Sequence, residues 1–173
     1  MLSSRHKHPF WLLAALQLGI LAIWSSPYVS ALIFGTIVDL EAHIYDPKDP
    51  WRGQYIRLRY SHVPNEASTP EGLTIGQPVF LPLRKDNGYW TAAGPISLAR
   101  PEGVFLRGLV VDRWWDVDAS SGTVSRFRVS WGIEEFFVEE GTGLLYEQAE
   151  ELKVTVKIGP SGLAIIRNVE VVK

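Results

Sequence analysis

Gly53-Gln54-Tyr55-Ile56-Arg57-Leu58-Arg59-Tyr60 alternates with a period of two. Side chains along a β-strand point to opposite sides in turn, so Gln54, Ile56, Leu58 and Tyr60 share one face. Tyr55, Arg57 and Arg59 share the other. A face with two arginines does not form a core, so the Gln54 face is expected inward. That strand aims an amide, a leucine and a phenol into the interior, and buried polar groups must be hydrogen-bonded. The plain structural reading is that Gln54 braces the turn before it, together with Arg52. The functional alternative is a pocket lined by Gln54, Tyr60 and Glu134. Glutamine keeps an acceptor and gains a donor but carries no charge, so neither a catalytic acid nor a metal ligand is expected at position 54. Gly53 supplies a backbone angle that other residues resist, or lets a second backbone approach.

The same period continues outward from this stretch. Val38, Leu40, Ala42 and Ile44 alternate with Ile37, Asp39, Glu41 and His43, which predicts a strand ahead of the rigid turn Asp46-Pro47-Lys48-Asp49-Pro50. Further strands are expected over 79–83, 88–92, 104–111, 123–131, 133–138, 152–158 and 163–172. In the last pair Leu152, Val154, Val156 and Ile158 face inward, and Gly159-Pro160-Ser161-Gly162 turns the hairpin. One short helix is expected over 142–152, with Thr142 as N-cap and Leu145, Ala149 and Leu152 on its apolar face. Residues 65–72 read as a polar loop. The predicted class is all-β: an antiparallel barrel-like or sandwich domain with one short helix.

Ahead of that domain, Phe10 to Trp24 reads FWLLAALQLGILAIW, with Gln17 its one polar residue. Extended to Tyr28, the run is long enough to cross a bilayer, and Trp11, Trp24 and Tyr28 stand where an aromatic belt would place them. Arg5 and Lys7 precede the run, and no basic residue follows until Lys48, so the N-terminus is expected in the cytoplasm and the remainder outside it. The expected division is a cytoplasmic segment 1–9, a transmembrane anchor 10–28 and an extracytoplasmic β domain 36–173. A cleaved export signal competes with the anchor, since Val29-Ser30-Ala31 offers small residues at a cleavage point. Both readings export the domain.

The 173 residues contain no cysteine, which excludes disulfides and thiolate metal sites. The net charge of -2 gives no electrostatic reason to bind nucleic acid. No cofactor is expected. Asp116-Val117-Asp118-Ala119-Ser120 starts like a calcium loop, but Ser121 stands where the sharp turn needs glycine. His43 and His62 are isolated in sequence. Glu134, Glu135, Glu139 and Glu140 suggest a carboxylate pair for glycoside chemistry, with solvated acids at a strand end as the plainer reading. Trp114-Trp115 could stack on a sugar, meet the membrane interface or face a partner.

Two blocks carry a family resemblance. Gly53, Tyr55, Leu58 and Tyr60, with Pro47, Asp49 and Arg52 upstream, resemble the signature of the bacterial membrane-anchored GDYXXLXY family. Arg128-Val129-Ser130-Trp131-Gly132-Ile133-Glu134, then Phe137-Val138-Glu139-Glu140-Gly141, resemble its later segment. The motif's aspartate is Gln54 here. The resemblance implies a one-helix anchor and an extracytoplasmic domain, often encoded beside multi-spanning membrane proteins. The expected function is a non-enzymatic accessory or assembly subunit whose partners are the bilayer and a membrane protein. The alternatives are an envelope hydrolase using carboxylates near Glu134 and Glu140, or a polymer-binding module using exposed tryptophans. The residues marked for a motif or pocket are Arg52, Gly53, Gln54, Tyr55, Leu58, Tyr60, Arg128, Glu134 and Glu140. A serine–lysine pair like that of the β-rich signal peptidases is set aside, because no serine lies between Glu41 and Gly53.

Overall fold

Gly35 separates a long helix from the first strand by a single residue. In this computed structural model, residues 7–45, 55–68, 73–118, 122–138, 146 and 149–172 are described. Helix α1 runs from Lys7 to Phe34. Its apolar side chains are exposed all round, from Phe10 and Leu13 to Trp24 and Phe34, so the chain itself offers them no core. The 25 residues Phe10–Phe34 form one helix long and apolar enough to cross a membrane. At about 1.5 Å per residue they reach past the roughly 30 Å of a bilayer core.

The helix ends against the β domain. Ala31 is fully buried there. A Cβ on Gly35 would stand 2.3 Å from the Ala31 carbonyl oxygen, and one on Gly159 would stand 2.8 Å from Ala31 Cα and Cβ. Three small residues therefore let helix and sheet touch through backbone. The Lys157 ammonium donates to the Leu32 carbonyl, one of the acceptors that a helix C-terminus leaves open.

Among the described residues ten strands follow: β1 Thr36–Ile44, β2 Tyr55–Tyr60, β3 Glu66–Ser68, β4 Pro78–Asp86, β5 Tyr89–Ala92, β6 Phe105–Asp118, β7 Gly122–Ser130, β8 Glu135–Phe137, β9 Leu152–Ile158 and β10 Ala164–Val171. They form two five-stranded sheets, β10-β9-β1-β2-β8 and β3-β7-β6-β4-β5, with every pairing antiparallel. Each sheet turns one alternating set inward: Val38, Leu40, Val154 and Val156 from the first, Val79, Leu81, Phe127 and Val129 from the second. Two rim bonds join the sheets, Ala92 N–H to the His62 carbonyl at 3.0 Å and Arg107 N–H to the Gly162 carbonyl at 2.8 Å. The sandwich is thus drawn toward a barrel. Asn87 and Gly88 both take positive φ, 46° and 94°, as the tight β4–β5 hairpin demands.

The alternation of β1 and β9 and the final hairpin match the reading of the sequence. Three details differ. Glu66–Ser68, inside the expected polar loop, is an edge strand paired with β7, and three residues are too few to show a period. β6 continues to Asp118 because a bulge between Val110 and Asp112 breaks its alternation, which hides its second half from a pattern search. Ile133 and Glu134 belong to a turn, and Leu152 opens β9 rather than closing a helix. Of that expected helix, 142–145 and 147–148 lie outside the described residues, as do the turn 46–50 and the motif residues Arg52, Gly53 and Gln54.

A candidate docking face on the motif strand

β2 folds with the predicted facing. Ile56, Leu58 and Tyr60 are buried, while Arg57 and Arg59 are exposed. The Tyr60 hydroxyl donates to the Ile133 carbonyl at 2.7 Å, and the Leu58 N–H donates to the Glu134 carbonyl at 2.8 Å. The motif strand is therefore bolted to the 131–134 turn, which lies more than seventy residues downstream of it.

Glu134 closes that turn with its own side chain. One carboxylate oxygen accepts from Gly132 N–H at 2.9 Å and Ser130 Oγ at 3.1 Å, and the other accepts from Trp131 N–H. Gly132 has φ 76°, which glycine adopts without a steric cost. The Trp131 indole N–H donates to the Pro64 carbonyl at 3.1 Å. Both oxygens of Glu134 are thus engaged in holding backbone.

Burial, and secondarily the Glu134 carboxylate, push the Tyr60 phenol far above its usual value. The fold keeps this proton while the unfolded chain releases it near pH 10. The contribution is complete below that pH, and stability falls as pH rises above it. Tyr60→Phe is expected to cost about 1–3 kcal/mol at neutral pH, because the Ile133 carbonyl loses its donor, and to flatten the alkaline decline. Urea titrations from neutral to alkaline pH measure both. An unchanged alkaline slope in Tyr60→Phe would locate the transition elsewhere.

The outward face of β2 carries the polar chemistry. A cleft of about 270 Å³ is lined by Tyr45, Arg57, Arg59, Arg128, Glu66 and Glu135, among others. Arg128 pairs with Glu66 at 3.1 Å, and Arg57 stands 3.7 Å from Glu135. The Arg59 guanidinium lies 4.0 Å over the Tyr45 ring and makes no ion pair among the described residues. Tyr55 and Phe137 stack at 6.3 Å beside them, with Phe137 73% exposed. Leu58, Arg128 and Glu134 line the cleft, Tyr55 lies beside its Arg57, and Tyr60 is buried without lining it. Glu140 lies outside the described residues, as does Gln54.

The GDYXXLXY protein family matches residues 17–169. This chain belongs to that family. The match takes in the second half of α1 and nearly the whole β domain, so helix and sheets form one family unit. No curated protein and no solved structure matches the chain. Leu58 and Tyr60 are structural, and Arg57 and Arg59 supply the exposed face of the strand.

Sequence spacing missed one grouping. His43 and His62, expected to be isolated, flank Glu41 at 3.8 and 3.5 Å. His43 Nδ1 lies 2.7 Å from the Glu150 carbonyl and must donate to it, so in the neutral ring Nε2 accepts from Ser61 Oγ at 2.8 Å. Adjacent antiparallel strands create this pair, and residues 18 positions apart give no motif. Trp114 and Trp115 lie under the guanidinium groups of Arg128 and Arg113, at 5.3 and 5.9 Å.

Proposed function

We propose that this protein is a membrane-anchored, non-enzymatic accessory or assembly subunit, with its N-terminus in the cytoplasm and its β domain on the far side. One observation carries the reading: the motif strand presents an exposed arginine–aromatic face of Tyr45, Arg59, Tyr55 and Phe137. Arginine and aromatic side chains supply large contact areas and are enriched at binding hot spots. A helix whose large apolar side chains stay exposed among the described residues supports a partner within or at the membrane. The buried Ala31 supports retention of the anchor, since cleavage beside it would strip the cover from Gly35 and Gly159.

The expected result is that the full chain, solubilised in mild detergent, co-purifies with a defined membrane protein. Arg59→Ala combined with Phe137→Ala should lower recovery of that protein by about tenfold or more, as loss of hot-spot contacts does, with an unchanged melting curve. Undiminished recovery would remove this face from the interface. A reporter that fluoresces in the cytoplasm, fused after Lys173, should stay dark.

The Ser61–His43 pair favours a second reading, an envelope hydrolase. The imidazole is oriented to take the serine proton. Neither residue lines the 270 Å³ cleft beside the motif strand, which favours the first reading. A fluorophosphonate probe that labels the wild type but not Ser61→Ala would reverse that order. The carboxylate version is weaker, because Glu134 is engaged by its own turn. The polymer-binding version is left with one exposed ring, Trp115, because the Arg128 guanidinium lies over Trp114.

A further inference from the structure

β6 changes character along its outward side. Arg107, Leu109 and Val111 point outward near the helix, and Asp112, Trp114 and Asp116 follow on that side beyond the bulge. Leu109 and Val111 are 46% and 47% exposed, although an outward strand face in water is normally polar. They border a groove of about 390 Å³, with Tyr28 of α1 on one wall and the Leu163–Ala164 corner on another.

Cations gather at this foot. Arg107 lines the groove and makes no side-chain hydrogen bond or ion pair among the described residues. Arg100 lies across the Phe105 ring and donates to the Pro160 carbonyl at 2.8 Å. Lys157 stands on the helix end through Leu32. An apolar groove with an unpaired guanidinium at its rim matches a molecule with a hydrocarbon body and an anionic head. The groove shares Tyr28 with the helix, near the end where an aromatic side chain sits at headgroup depth.

We propose that this groove binds one anionic phospholipid of the surrounding bilayer, an acyl chain against Tyr28, Leu109 and Val111 and the phosphate at Arg107. The inference rests on α1 being a membrane anchor. The lipid fills the groove between helix and sheet and neutralises the foot of the domain.

The test uses the full chain reconstituted in vesicles of phosphatidylcholine containing roughly a third phosphatidylglycerol, a composition that supplies the anionic surface. Lipid retained on the protein after release into mild detergent is read by native mass spectrometry. The wild type should keep one phosphatidylglycerol. Arg107→Gln should lower that retention by about fivefold or more and abolish the preference over phosphatidylcholine, because a charge-assisted bond is lost. Arg107→Lys should keep the preference. Leu109→Gln with Val111→Gln, at half-exposed positions that the fold tolerates, should lower retention of both lipids. Equal retention by all four proteins overturns the proposal. So does loss of a co-purifying protein from the groove variants with lipid retention unchanged, since the occupant would then be protein. Alkaline carbonate extraction separates the two levels. A chain released from the vesicles overturns the anchor itself, whereas an embedded chain without retained lipid overturns the groove alone.

Discussion

Leu58→Ala should lower the stability of the β domain by about 2–5 kcal/mol, the cost of lost burial plus the cavity left behind. Leu58 is 4% exposed and sits in the core with Ile56, Tyr60 and Ile133. Its neighbours are held on both sides by the Tyr60 hydroxyl and by its own N–H, so the site has little freedom to collapse. Against a typical total of about 5–15 kcal/mol this is a large fraction. Arg57→Ala on the opposite face should stay within about 0.5 kcal/mol, since its ion pair with Glu135 is long and exposed. Denaturant melts of the two variants give the comparison. Equal losses would mean that β2 does not face as described.

Glu134→Ala should be nearly as damaging, at about 2–4 kcal/mol, although the side chain is not fully buried. Three donors lose a charged acceptor at once: the Trp131 and Gly132 N–H groups and the Ser130 hydroxyl. The turn also carries the Ile133 and Glu134 carbonyls that receive β2, so its loosening reaches the motif strand. Glu134→Gln keeps one acceptor oxygen but turns an amide NH2 toward a donor, and an intermediate loss is expected. A hydrolytic carboxylate would behave in the opposite way. Its removal would abolish turnover and leave the melt in place, so an unmoved melting curve for Glu134→Ala would withdraw its structural role.

Much of this architecture is legible in the residues because β-sheets with one wet face write their period into the chain. Thr36–Ile44, Tyr55–Tyr60 and Leu152–Ile158 alternate cleanly, and their facing follows. The bulge in β6 and the brevity of β3 erase that signal where they occur. The helix was legible from composition, but its length to Phe34 was not, because Ser25, Ser26, Pro27 and Ser30 look like its end. Tyr60 and Glu134, grouped with Gln54 in the pocket reading that stands as the alternative, meet among the described residues as a joint. Sequence can say that two polar groups face the same interior, but their hydrogen-bond partners depend on a tertiary turn. The arginine–aromatic face needed the structure too, since Tyr45 meets Arg59 and Tyr55 meets Phe137 across three segments.

The contact of Gly35 and Gly159 with Ala31 bears on how the domain can search for anything it binds. A module on a slack tether sweeps a hemisphere, and it surrenders that freedom when it docks. Here the stem is fused to the head, so the tilt of the domain relative to the helix is set before any encounter. With α1 in a bilayer, as proposed, diffusion is confined to the membrane plane and to spin about the helix axis. A surface elsewhere on that membrane then meets the same side of the domain at the same elevation every time, and the orientational entropy lost on association is correspondingly small.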